Sequence, residues 1–263
     1  MPEDIYRGIY QGIYLDIDMD YFVEPIELVS VDNVRVYWDK PCTLLPVGPL
    51  FQQLEESGLR WDRGNVHYFT NHKKSYTYWW MSKNKNNTVI HIDAHSDLYR
   101  NSNKDLRLLP NGELRCYNYL WYAIRDGYVD EIYWVLPTSL KHLMNEESAG
   151  LIVNKALIRE CSRDEYGLHI NFDCIDISGT EKSIRLHVCE LAMLPKFNRT
   201  CDKVTIATSP EFIPERADCL IGELFKGFGA DESAIGNINR QHKALLDIPG
   251  EELRAAKRKI GKQ

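Results

Sequence analysis

Apolar residues along this chain gather in short runs rich in β-branched and aromatic side chains, at 11–18, 65–70, 88–93, 130–136, 168–173, 184–192 and 203–208. Runs of that length and composition predict strands. The stretches at 48–57, 72–82, 115–127, 138–146 and 209–226 predict helices between them. Strands alternating with helices predict an α/β fold in three layers, a mostly parallel sheet with helices on both faces. Turn signals at Leu109-Pro110-Asn111-Gly112 and Arg125-Asp126-Gly127 bound single elements, and no repeat or low-complexity linker intervenes, so one domain over 1–263 is expected. The segment from Glu251 to Gln263 reads as a charged amphipathic helix or a frayed end.

Two of the strands break the apolar pattern in the same way. Residues 89 to 98 read Val-Ile-His-Ile-Asp-Ala-His-Ser-Asp-Leu, an apolar strand running into Asp93, His95 and Asp97. Side chains spaced by two leave a strand on one face, so these three are expected to point the same way. Buried charges are tolerated only when paired or coordinated. The plainer alternative is a polar loop with a helix N-cap at Ser96 or Asp97. Residues 13 to 22 read Ile-Tyr-Leu-Asp-Ile-Asp-Met-Asp-Tyr-Phe, placing Asp16, Asp18 and Asp20 at alternate positions with no Lys or Arg between them. Such a row is either the solvated face of an edge strand or a set of like charges relieved by a divalent cation. Carboxylates mixed with imidazole suit Mn, Fe, Zn or Co better than Ca or Mg. No Cys lies in either motif, which weakens a structural zinc reading.

Asp93-Ala94-His95-Ser96-Asp97 resembles the Asp-Ala-His-x-Asp motif of the ureohydrolases, the family of arginase, agmatinase and formiminoglutamase. Tyr14-Leu15-Asp16-Ile17-Asp18-Met19-Asp20 is similar to their Tyr-Leu-Ser-x-Asp-x-Asp motif, with Asp16 where the family has serine. Tyr68-Phe69-Thr70-Asn71-His72 is the best counterpart of the strand end that supplies a further His. The resemblance implies an arginase-like fold with two Mn2+ per chain. It implies that His72, Asp93, Asp97 and Asp18 hold one ion, that Asp93, His95, Asp18 and Asp20 hold the other, and that Asp93 and Asp18 bridge. Here the Asp-x-Asp strand comes first rather than last. That order resembles a circularly permuted branch of the family, which the closeness of chain termini makes physically reasonable. The branch includes peptide arginases, which convert arginine side chains of ribosomally made precursor peptides to ornithine. Tyr133–Pro137, Leu191–Pro195 and Val204–Pro210 also look similar to that branch.

The chemistry implied is hydrolysis of a guanidinium group by water activated between two divalent ions. A carboxylate must hold the planar cation in line. The resemblance offers Glu211 for that role, while Ser209 and Pro210 before it equally suit an exposed first helical turn. Asp16 either orients a ligand or contacts the substrate, and strand spacing does not decide which. Arginases carry a Gly-Asn-Leu-His-Gly segment that helps clamp free arginine. The corresponding residues 111 to 120 have no His, and nothing places His142, His169 or His187 in the site. Loss of that clamp suits a substrate already locked in peptide bonds. Trp79, Trp80, Tyr99, Tyr117, Tyr119 and Trp121 crowd the flanking segments; some must be core, and those at strand ends would line a peptide groove. The leading expectation is a manganese-dependent hydrolase acting on an arginine-containing precursor peptide. The alternatives are a small-molecule guanidino or amide hydrolase and a non-catalytic metal-binding interaction protein.

Composition changes little in this picture. Hydrophobic residues make up 44% and charged residues 27%, ordinary for a globular protein. A net charge of -6 argues against nucleic-acid binding and mildly favours a cationic substrate. No apolar run is long enough to span a membrane, and the Met-Pro-Glu-Asp start does not read as a signal peptide. Seven Cys without paired metal-binding spacing fit reduced thiols in the cytoplasm, with Cys174, Cys189 and Cys219 expected in the core. Homo-oligomers are left open.

Overall fold

The computed structural model describes residues 12–28, 30, 34–35, 41–99 and 101–247. The segment from Glu251 to Gln263 lies outside the described residues. Eight strands form the main sheet: β1 (Ile13–Asp18), β2 (Val66–Phe69), β3 (Asn87–Ile92), β4 (Val129–Val135), β5 (Ile158–Asp164), β6 (Gly167–Ile175), β7 (Glu181–Cys189) and β8 (Lys203–Ala207). Their order is β2-β8-β1-β3-β4-β7-β6-β5. The first six in that order pair in parallel, and β6 and β5 close the edge antiparallel. This is the mostly parallel sheet that the alternating pattern predicts.

The N-terminal strand is not an edge. β1 lies between β8 and β3, with Ile17 opposite Ile206 on one side and Ile92 on the other. Every residue of β1 and β3 is buried, as expected of parallel strands covered on both faces. Alternation divides the apolar side chains between two layers. Leu15, Ile17, Ile90, Ile92, Val204 and Ile206 pack with helices α1 (Gly48–Glu56), α4 (Cys219–Gly227) and α5 (Glu232–Lys243). Tyr14, Val89, Ile132 and Trp134 pack with Trp79 of α2 (Lys74–Ser82) and with Tyr119, Leu120 and Trp121 of α3 (Tyr119–Arg125). The result is helix, sheet, helix.

Several elements depart from the pattern. Residues 138–146 form 3-10 turns rather than an α-helix. The helix expected over 115–127 is trimmed to Tyr119–Arg125, because the Asn118 side chain accepts the Arg115 amide and donates to the Glu113 carbonyl, tying its approach into a loop. Over 209–226 the chain first makes a buried turn and becomes helical only from Glu215. Cys219 is exposed at the start of α4, not in the core, whereas Cys174 and Cys189 are buried. Among the described residues, no helix is long and apolar enough to cross a membrane.

Candidate metal centre

Parallel packing carries the carboxyl ends of β1 and β3 to one place, and the acidic residues follow them. Asp18 ends β1. The chain then tightens into the 3-10 turn Met19–Phe22, where the Asp18 side chain accepts the Asp20 amide at 3.2 Å and brings Asp20 back over the strand end. β3 stops at Ile92, so strand alternation does not aim Asp93, His95 and Asp97 as expected. A turn does so instead. The His95 amide donates to Asp93 Oδ1 at 2.6 Å, and Asp97 adopts a left-handed backbone with φ 49°. Nor is there a helix N-cap at Ser96 or Asp97, where the described chain continues as loop.

The six residues named as metal ligands come together. His72 Nδ1 lies 3.0 Å from Asp18 Oδ2, 2.9 Å from Asp93 Oδ2 and 3.3 Å from Asp97 Oδ2. His95 Nδ1 lies 2.8 Å from Asp20 Oδ2 and 3.5 Å from Asp93 Oδ1. The two oxygens of Asp93 thus face two different groups, and the metal-compatible sets Asp18-His72-Asp93 and Asp20-Asp93-His95 share it. Bridging by Asp18 is less direct, because its Oδ1 accepts the Asp20 amide and its Oδ2 accepts the Ser209 hydroxyl.

The chemistry of these donors fits cations. His72 Nδ1 and Asp97 Oδ2 are buried with no hydrogen bond of acceptable geometry, although each looks into the cluster. Buried polar atoms left in that state cost roughly 1–3 kcal/mol each. His72 presents Nε2 to Asp16 Oδ2 at 3.0 Å, and His95 presents Nε2 to the Glu27 carbonyl at 2.9 Å. Both acceptors fix a hydrogen on Nε2, so Nδ1 is the nitrogen that would ligate once its own proton is given up. Burial and the neighbouring Asp18 and Asp93 charges push the Asp20 carboxyl well above its usual range, and burial with Asp93 pushes Asp97 to about 6. Burial disfavours the charged forms of His72 and His95, yet the surrounding carboxylates, Asp16 and Asp20 foremost, hold both well above the ordinary imidazole range. These retained protons offset the crowded carboxylates, and divalent ions would take over that role as the protons leave.

Asp16 stands behind the ligands, fully buried. It accepts from Ser75 Oγ at 2.7 Å, from Thr205 Oγ1 at 2.5 Å and from the Tyr119 hydroxyl, and it faces both His72 and His91. Burial favours its neutral form, but the two imidazoles outweigh that and hold it below the usual carboxylate range. Of its two expected roles, orienting a ligand is the one this geometry gives it. His91 was not singled out by the sequence. The two-residue spacing that marks Asp93 extends back to His91, directly opposite Asp16 in register, and that was the available signal. Its Nδ1 faces Asp16 at 3.1 Å and its Nε2 faces the His95 carbonyl at 3.0 Å.

Glu211 is buried, not an exposed helix-start residue. Asn71, beside His72, donates to Glu211 Oε1 at 2.9 Å, and the Phe212 ring packs 4.7 Å from His95. Ser209, which bonds Asp18, has a strained φ of 36°. A non-glycine residue held there costs roughly 1–2 kcal/mol. Of the flanking aromatics, Trp79, Tyr119 and Trp121 are core, and Trp80 is exposed. Tyr99 and Tyr117 pack edge to face, and with Asn101, Glu113 and Arg115 they line a cavity of about 260 Å³ beside the Asp97 loop.

Comparison with known proteins gives no match to any family model, curated protein or solved structure. The site therefore rests on its own geometry. Buried Asp and His groups able to hold a metal ion are present, and they belong to the strand ends of an α/β sheet.

Proposed function

We propose that this chain is a dinuclear manganese hydrolase that converts arginine within a peptide to ornithine and releases urea. The observation that carries the reading is Asp93, whose two oxygens serve two separate ligand groups at the carboxyl end of a parallel sheet. His72, Asp97 and Asp18 complete one group, and His95 and Asp20 the other. Bound there, two divalent ions supply a water of lowered pKa.

The chain's own residues do the rest. Asp16 fixes the His72 ring through Nε2, so that Nδ1 keeps its direction. Glu211 is the carboxylate for the guanidinium, a planar cation matched by a two-oxygen partner, and Asn71 holds one of its oxygens in place. The cavity between Tyr99 and Arg115 lies beside the same loop and suits residues flanking the arginine, whose remote contacts would orient the reacting group.

Manganese-loaded protein incubated with a peptide containing internal arginine should release urea and remove about 42 Da per converted residue, the difference between the two side chains. Turnover of free arginine should be far slower. Glu211→Gln should retain its manganese and lose about a hundredfold in kcat/KM, within the range for removing one member of a buried charge pair. Equal or faster turnover of free arginine would replace the peptide reading with a small-molecule guanidino hydrolase. Metal binding with no urea from either substrate would leave a binding protein.

A further inference from the structure

A second meeting of histidines and carboxylates lies on the antiparallel side of the sheet. His169 of β6 sits directly opposite His187 of β7. Their Nδ1 atoms are 2.7 Å apart. Each ring is tied by its other nitrogen: His169 Nε2 is 2.8 Å from Asp164 Oδ1, and His187 Nε2 is 3.2 Å from Glu131 Oε1. An ionised carboxylate only accepts, so each Nε2 carries a hydrogen, and a neutral imidazole then has only a lone pair on Nδ1. Two lone pairs therefore face each other at hydrogen-bond distance. That is unfavourable unless a proton lies between them or one metal ion sits beside the line that joins them.

The supports of this pair are built into the fold. Glu131 is buried and also accepts from Thr88 Oγ1 at 2.9 Å and pairs with Arg185 Nε at 3.0 Å. Asp164 accepts the Tyr166 amide at 2.8 Å in the β5–β6 hairpin. Gly167 closes that hairpin at φ 129°, where a Cβ would meet the Val188 carbonyl oxygen at 2.3 Å. The Tyr133 ring stacks on His187 with centroids 4.4 Å apart and planes 17° from parallel. Carboxylates that hold the distal nitrogens of two convergent imidazoles are the usual outer support of metal-binding histidines. The two side chains retain 20% and 12% of their exposure, so an ion can reach them from solvent.

We propose that His169 and His187 form a second, mononuclear metal site that chelates one Cu2+ or Ni2+ through their Nδ1 atoms. The donors select the class of ion. Two imidazole nitrogens suit divalent ions late in the first transition row, where Ni2+ and Cu2+ are held more tightly than Mn2+, Fe2+ or Co2+. Donors 2.7 Å apart can share one such ion seated beside the line that joins them. Water fills the other positions. The site shares no ligand with the Asp93 centre and does not depend on the hydrolase reading.

The test uses the full chain in two forms: wild type with manganese already bound, and Asp93→Ala to remove the first centre. Calorimetric titration with Ni2+ should give one ion bound per chain in both forms, with manganese content unchanged in the first. Frozen-solution electron paramagnetic resonance with Cu2+ should show two equivalent nitrogen donors. His169→Ala and His187→Ala should each weaken Ni2+ binding at least about tenfold, and Glu131→Gln about tenfold. His187→Gln, closer in volume, should repeat the His187→Ala result if packing is not the cause. Absence of Ni2+ and Cu2+ binding in both forms, binding indifferent to all these substitutions, or a shared proton seen by nitrogen NMR that excess Ni2+ does not displace would each overturn the proposal.

Discussion

The two histidine–carboxylate groups of this sheet are built by different strand geometries. At the parallel centre, β1 and β3 end side by side and their following turns fold inward, so Asp18, Asp20, Asp93 and Asp97 converge with His72 and His95, five of the six nearly fully buried. At the antiparallel edge, His169 and His187 meet in mid-strand as a directly opposed pair, partly open to solvent, each backed by one carboxylate. Convergent strand ends can gather many charges around two points. A cross-strand pair can offer only two donors and one spacing. The first arrangement suits a dinuclear centre and the second a single, weaker site.

The largest expected effect falls on the shared ligand. Asp93→Ala should drop manganese from about two ions per chain to near zero, because a bridging carboxylate serves both ions. Elemental analysis after gel filtration measures this, and retention of one tightly bound ion would break the shared-ligand picture. A smaller loss is expected one layer out. Asp16→Asn keeps every ligand but weakens the hold on His72 and His91, so manganese affinity should fall about 10–100-fold, read by competition with a chelating dye.

pH should separate the filled centre from the stripped one. In chelator-treated protein, His72, His95 and Asp97 hold protons more tightly folded than unfolded, with Asp97 raised to about 6 by burial and Asp93. Between about pH 5 and 8 the folded state therefore binds more protons, and stability should fall as pH rises. Asp16 and Asp93, held low, oppose this only below about pH 4, the ordinary carboxylate range. Manganese needs the same groups deprotonated, so with metal the trend should reverse. Melting curves that run parallel with and without manganese would mean that these groups do not hold it. The smallest effect belongs to the antiparallel region: Glu131→Gln should cost about 1–3 kcal/mol in urea denaturation, as for one weakened buried acceptor, and leave manganese content unchanged. A loss of manganese would show that the two regions are coupled.

Strands were legible wherever both faces are buried. The runs at 88–93 and 203–208 fall within a residue of β3 and β8, because continuous burial demands continuous apolar sequence. β5 was not legible. Its residues Ile158–Asp164 are mostly exposed and charged, as suits an edge strand that pairs on one side only. Helix α5 was missed for a related reason, since only Ile235, Ile238 and His242 are buried on it; the Asp231 side chain accepting the Ala234 amide was its available N-cap signal.

The sequence by itself determined the layered α/β plan and singled out the acidic and histidine residues that gather at the strand ends, because a two-residue period of acids is rare beside apolar strands. Tertiary structure decided what each residue faces. It placed β1 between β8 and β3, turned the 93–97 loop so that one carboxylate serves two groups, buried Glu211, and set Asp16 behind His72 rather than toward a substrate. It alone brought His169 to His187, residues without a shared motif. Spacing along one strand fixes which way a side chain leaves the backbone; only pairing and turns between strands fix what it meets.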